Sequence, residues 1–264
     1  MERRYRSFMP EGLSHGAVLV LISILGASAI LSGLSGFGFS AVGAICLWLL
    51  PPKLCVPLLM TLSTANQLMS AGQLRSDMRP IREWWPDGAA PYLLGGVIGV
   101  PFGLAILHAL PTSTLMAIFG GFLVLYAAYS MLKPQGLHVS LDGGWFASTL
   151  VGVAGGVIGG FTAFPGAAVV VWGDLRALPK GESRGIVQPY ILGLQIVALA
   201  LLAVQHPETF DGEYWTLLAI TIPVVLPCTL LGVRLYRSMS DVNFRRVTLM
   251  LLGASGLALL VKAA

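Results

Sequence analysis

Apolar residues run through the chain in long uninterrupted stretches separated by short polar ones. The stretches cover 16–34, 37–50, 54–74, 88–109, 113–132, 144–159, 160–173, 186–205, 214–236 and 242–262. Between them stand "RSDMRPIREWWPD" (75–87), "KPQGLHVSLD" (133–142), "GDLRALPKGESR" (173–184), "QHPETFDGE" (205–213) and "YRSMSDVNFRR" (236–246). Runs this long, with no apolar–polar alternation, predict helices crossing a bilayer and argue against a β-barrel. The punctuation is too short to hold a soluble domain.

Two places break this pattern. "LSGLSGFGFSAVG" (31–43) sits inside the first apolar block, and "GVIGGFTAFPG" (156–166) inside the sixth and seventh. Interior glycine costs a helix roughly 0.5–1 kcal/mol relative to alanine. Laid over each other at a separation of 123, Gly33, Gly36 and Gly43 meet Gly156, Gly159 and Gly166, while Asn66 and Gln67 meet Pro189 and Tyr190. A run with Trp48 or Trp172 follows, then "PPK" or "LPK". "GLAILHALPTSTL" from 103 resembles "GVRLYRSMSDVNF" from 232. The chain therefore reads as two repeats, residues 1–142 and 143–264.

Each repeat opens with an apolar block of about 35 residues. At 1.5 Å per residue that is roughly 50 Å, too long for one ~30 Å span and short for two. A re-entrant hairpin or a pair of partial helices satisfies both limits, and three further spans follow. Either arrangement crosses an odd number of times, so tandem repeats point in opposite directions. The expected fold is an all-α polytopic membrane protein of two inverted repeats, each with a Gly-broken helix pair and three transmembrane helices. Substrate sites of such proteins lie at the interrupted helices.

Composition agrees: 56% of the 264 residues are hydrophobic and 11% are charged, against about 25% charged in soluble domains. The net charge of +4 comes from loop Lys and Arg and points to no nucleic acid. Eleven of the sixteen basic residues fall in loops that share one side: Arg75, Arg79, Arg82, Lys133, Arg176, Lys180, Arg184, Arg234, Arg237, Arg245 and Arg246. The other side holds Arg3, Arg4, Arg6, Lys53 and Lys262. The positive-inside tendency then places both termini outside a cell (inner) membrane. "MERRYR", the apolar run after it and "ASA" at 27–29 imitate a secretory leader, but this segment has a counterpart in the second half, which argues against cleavage.

Catalytic chemistry finds no footing. All twelve Asp and Glu lie in loops or at segment edges, and no Ser–His–Asp constellation is recognisable. Cys46, Cys55 and Cys228 form no Cys-x-x-Cys pair, and His15, His108, His138 and His206 show no ligand spacing. No cofactor is implied, and a divalent-metal permease lacks its ligands. What lies in apolar sequence is neutral and polar: Ser35, Ser40, Thr61, Ser63, Asn66, Gln67 and Gln73 in the first half, Thr162, Gln188, Tyr190 and Gln195 in the second.

A helix restarting after a break exposes free N–H groups and a partial positive charge near +0.5. Glycine allows close approach to that backbone. Two such termini near the midplane make an anion site without Lys or Arg. The candidate site is Gly36, Phe37, Gly38, Ser40, Asn66, Gln67, Gly159, Gly160, Thr162, Gln188 and Gln195. Against it stands helix packing through the small-residue patterns Gly33–Gly36 and Gly156–Gly159.

At "SGLSGFGFSAVG" with "LLPP", and at "GVAGGVIGGFTAFPGAAVVVW" with "LPKGESRG", the chain resembles the TauE/SafE sulfite exporter family, also called the toluenesulfonate uptake permeases. The resemblance spans nearly the whole chain. Phe164 stands where that family usually has glycine, and Phe39–Ser40 replaces part of a glycine run. The resemblance implies a secondary transporter for small sulfur-containing anions (sulfite, sulfoacetate, other organosulfonates) working by alternating access in the lipid bilayer. It leaves open whether H+ or Na+ is the coupling ion and whether the chain forms a homodimer. The other reading is a membrane assembly or interaction protein that transports nothing.

Overall fold

A computed structural model describes residues 14–73, 84–85, 88–132, 144–176, 178, 180–236 and 241–264. The amino-terminal arginines, the start of the leader-like segment and most of the basic residues in the 75–87, 133–142 and 236–246 loops lie outside the described residues. Those described are 90% helical with no strand.

Among the described residues ten helices follow one another: α1 (His15–Ser35), α2 (Phe39–Gly43), α3 (Pro52–Gln73), α4 (Ala89–Ala109), α5 (Thr112–Leu132), α6 (Trp145–Thr162), α7 (Gly166–Leu175), α8 (Lys180–Gln205), α9 (Gly212–Tyr236) and α10 (Asp241–Ala263). A 3-10 turn, Ala44–Trp48, continues α2, and another, Pro207–Phe210, precedes α9. Two starts are chemically marked. Ser14 accepts the Ala17 N–H at 3.2 Å to open α1, and Asp211 accepts the Tyr214 N–H at 2.9 Å to open α9. Both satisfy donors a helix leaves free.

Among the described residues six helices (α1, α4, α5, α6, α8 and α9) are long and apolar enough to cross a membrane. In α3, which is as long, the apolar run is diluted by Thr61, Ser63, Thr64, Asn66, Gln67 and Ser70. Outward-facing Leu94, Ile98 and Phe102 of α4, Leu125 of α5 and Leu150 of α6 are exposed, as a lipid-facing surface requires.

The sequence reading splits residues 144–173 between 159 and 160. The helix in fact runs through Gly159 and Gly160 to Thr162. Its glycines serve packing instead. Gly95, Gly99 and Gly103 of α4 face Gly152, Gly156 and Gly160 of α6 at four-residue spacing. A Cβ on Gly160 would lie 2.7 Å from the Gly103 Cα, and one on Gly156 would strike the Gly96 carbonyl. Backbones this close gain van der Waals contact where burial from water supplies no drive between helices. α1 and α9 meet in the same manner: a Cβ on Gly33 would lie 2.5 Å from the Thr229 carbonyl, and Gly232 abuts Ile30.

The remaining packing exchanges elements between halves. α1 packs on α9 and α6 on α4; α3 packs on α9 and α8 on α4; α5 meets α10 and α3 meets α8. The first break therefore rests on helices of the second half, and the second break on those of the first.

Candidate functional site

α1 ends where Gly36 turns left-handed (φ 77°) and its N–H closes on the Ser32 carbonyl at 2.7 Å. Gly38 is left-handed again (φ 93°) and α2 starts at once. α6 ends the same way, but on a residue with a Cβ. Ala163 adopts φ 57°, and its N–H closes on the Gly159 carbonyl at 2.8 Å. Phe164 and Pro165 follow, and α7 begins.

Gly36 and Ala163, which end α1 and α6, are 127 positions apart, and so are Gly38 and Pro165, which precede α2 and α7. The glycine overlay put the correspondence at 123. The difference is about one helical turn, and Gly152, Gly156 and Gly160 recur at that interval. A slip of four keeps Gly33 on a glycine, Gly160, but sets Gly36 on Ala163 and Gly43 on Val170, so matching glycine to glycine chose the wrong register.

Side chains from α3 and α8 tie the breaks. Gln67 donates its Nε2–H to the Gly36 carbonyl at 3.0 Å, and Gln195 donates to the Ala163 carbonyl at 3.4 Å. The structural counterpart of Gln67 is therefore Gln195, not Tyr190. Tyr190 instead donates its hydroxyl to the Gly152 carbonyl at 2.7 Å. The Thr64 hydroxyl makes its shorter bond to the Met60 carbonyl (2.7 Å) and also reaches Gln195 Oε1 (3.4 Å). A polar thread thus runs from one break to the other: Gly36, Gln67, Thr64 one turn along α3, Gln195, Ala163.

Asn66 joins three helices. Its Nδ2–H donates to Ser32 Oγ of α1 at 2.7 Å, and its Oδ1 accepts from Thr229 of α9 at 2.8 Å. Thr162 donates to the Ile158 carbonyl at 2.6 Å and accepts the Phe164 N–H at 3.1 Å. Beside the second break Met60, Val100, Gly159, Pro165, Leu194, Gln195 and Ala198 line a narrow crevice too tight for a water molecule.

Four of the candidate residues, then, are brought to the breaks as ties: Asn66, Gln67, Thr162 and Gln195. Gly36 and Gly38 form the first turn, Phe37 lies between them half-buried against the core, and Gly160 packs against α4. Gly159 carries Pro165, since a Cβ there would lie 2.5 Å from the proline's own Cβ. Ser40 and Gln188 differ from the rest. Among the described residues, Ser40 Oγ and Gln188 Nε2 are buried hydrogen-bonding atoms with no partner, as are Gln67 Oε1, Ser70 Oγ and Trp172 Nε1. Leaving such a group unpaired costs about 1–3 kcal/mol, so each marks a place where something else can bond. Gln188 stands at the level of the α7 amino end, because Val187 and Ile191 beside it touch Gly166, the first residue of α7. Ser70 and Thr64 were not singled out from the sequence, and Trp172 only as a landmark of the repeat. Ser70 and Thr64 could have been found as the turns of α3 on either side of Asn66 and Gln67.

A bundle of membrane-crossing helices with two interrupted ones, tied across two halves by neutral polar side chains, defines a polytopic α-helical membrane protein. The chain belongs to the Sulfite exporter TauE/SafE family, whose model matches residues 19–259. This is a membrane transporter family, not an enzyme family. No curated protein and no solved structure matches the chain.

Proposed function

We propose that the chain is a secondary transporter for small sulfur-containing anions, sulfite or short organosulfonates, working by alternating access across the inner membrane. The anion is received at the amino end of α7. Gln188 carries this reading: its side-chain amide is buried with no partner among the described residues, and either rotamer of the amide can offer an N–H, at the level of a ten-residue helix whose amino end has no side-chain cap. Unpaired donors and the positive end of a helix suit an oxyanion and need no Lys or Arg.

The exchange of elements between halves supports the two inverted repeats, residues 1–142 and 143–264. First helix rests on fourth, third on third and fifth on fifth, in both directions. Repeats arranged in this way let one half rock against the other around a central site. Both termini outside is the orientation that the basic loops favour.

The test is calorimetry on purified protein with sulfite, sulfoacetate and chloride. A saturable signal for sulfite or sulfoacetate and none for chloride is expected, and Gln188→Leu should weaken it about tenfold, the equivalent of one lost charge-assisted hydrogen bond. No saturable response to either sulfur anion would overturn the reading.

A further inference from the structure

Gln67 and Gln195 hold the same post at the two breaks and differ at one atom. Each donates its amide hydrogen to the carbonyl of the left-handed residue. Gln195 Oε1 has the Thr64 hydroxyl within reach. Gln67 Oε1 has no partner among the described residues, although Gln67 is only 2% exposed. The bond to Gly36 fixes which end of the Gln67 amide is oxygen, because the opposite assignment would set two acceptors 3.0 Å apart.

An unpaired acceptor therefore stands at the carboxyl end of α1, where the last carbonyls carry the helix's partial negative charge. Such a place repels an anion. Ser70, three residues along α3 and thus on the same face as Gln67, is fully buried, and its Oγ too is unpartnered. Between His15 and Arg75 the sequence holds one charged residue, Lys53 at the far end of α3. Neutral oxygens without a carboxylate suit a monovalent cation. Calcium and magnesium sites are built around carboxylates.

We propose that Gln67 Oε1 and Ser70 Oγ are ligands of a sodium ion at the carboxyl end of α1. The first break then takes the cation and the second break the anion. Thr64, one turn from Gln67 on α3, touches Gln195 at the second break, so the two sites meet through a single helix. The coupling, but not sodium binding itself, rests on the transporter reading above.

The experiment measures the melting temperature and the sulfite affinity of purified protein in sodium, potassium and choline chloride at equal ionic strength. Sodium should raise the melting temperature saturably with no sulfite present, and should tighten sulfite about tenfold over choline. Ser70→Ala, a small change that keeps α3 packed, should weaken the sodium response about tenfold, and Gln67→Leu should abolish it. Equal behaviour in all three salts overturns the proposal, as does a sodium response unchanged in both variants. If sodium stabilises the protein in a Ser70-dependent way while no sulfur anion binds, the sodium site stands and the transporter reading falls.

Discussion

The backbone turns left-handed at the end of α1 on glycine and at the end of α6 on alanine. The first break has conformational freedom built into Gly36 and Gly38. The second has almost none and is forced by its surroundings. Thr162 holds the Phe164 N–H, Gln195 holds the Ala163 carbonyl, and Pro165 sits over the missing side chain of Gly159. Glycine at the first break makes the turn. Glycine before the second break holds α6 against α4 and leaves the turn itself to an alanine.

The largest effect expected from this difference is at the α4–α6 seam. Gly156→Leu puts a side chain into the α4 backbone at Gly96, and overpacking a seam with no room to relax costs about 3 kcal/mol or more. Loss of monodisperse protein in size-exclusion chromatography, or a large fall in melting temperature, is the expected readout. Gly121→Ala in α5 is the control: nothing lies within 4 Å of the added Cβ, and a helical Gly→Ala change there should be neutral or stabilising by up to about 1 kcal/mol. A Gly156→Leu protein as stable as the control would show that α6 is not clamped.

The next pair should move in opposite directions. Gly36→Ala places a Cβ at φ 77°, a conformation that costs an L-residue roughly 1–2 kcal/mol. Ala163→Gly relieves the same strain at φ 57°, less the roughly 0.5–1 kcal/mol that glycine gives back through unfolded-chain entropy. The first variant should melt lower and the second slightly higher, by about 0.5 kcal/mol. Thermal unfolding of the two side by side decides it. Equal shifts of one sign would mean that the two turns are not alternative solutions to one geometry.

The sequence foretold the helices well because a bilayer demands long apolar runs, and nearly every run became a helix ending within a few residues of its expected place. Two starts lie six residues off: α7 begins at Gly166 and not at 160, and α8 begins at Lys180, ahead of the apolar run from 186, because charged "KGESR" winds into its first turn. Both breaks were foreseen, but the second was placed at Gly159–Gly160 and lies at Ala163. Glycine marks both turns and close helix contacts, and composition cannot separate the two. Gln67 and Gln195 were recognised as polar residues in apolar sequence. Their pairing with each other was not, because a shift of one helical turn brings Tyr190 against Gln67 with equal plausibility. The unpaired state of Gln67 Oε1 and Gln188 Nε2 depends on what surrounds them in three dimensions and leaves no trace in one.

The smallest effect separates the breaks by pH. The helices supporting the first break, α3 and α9, are joined by a bond between the hydroxyls of Thr61 and Tyr214 at 2.5 Å. Those supporting the second, α4 and α8, are joined at one end by the stacked rings of His108 and His206, 3.7 Å apart, with His206 Nδ1 3.1 Å from Glu208 Oε1. Glu208, in the polar loop before α9, is held below its usual value of 4.5, first by its own backbone N–H and then by the bond to His206. A carboxyl lowered on folding adds stability above its unfolded value and loses it as pH falls through the folded one. The seam at the second break should therefore loosen below about pH 4.5. The shift is small, because Glu208 is fully solvent-exposed and water screens the pair. Melting temperatures recorded from pH 7 down to pH 4 should show a shallow acid-side decline that Glu208→Gln removes. Thr61→Val should lower the whole curve without changing that slope, because a hydroxyl pair has nothing to titrate in this range. An acid decline that persists in Glu208→Gln and vanishes in Thr61→Val would reverse the assignment and put the pH-sensitive joint at the first break.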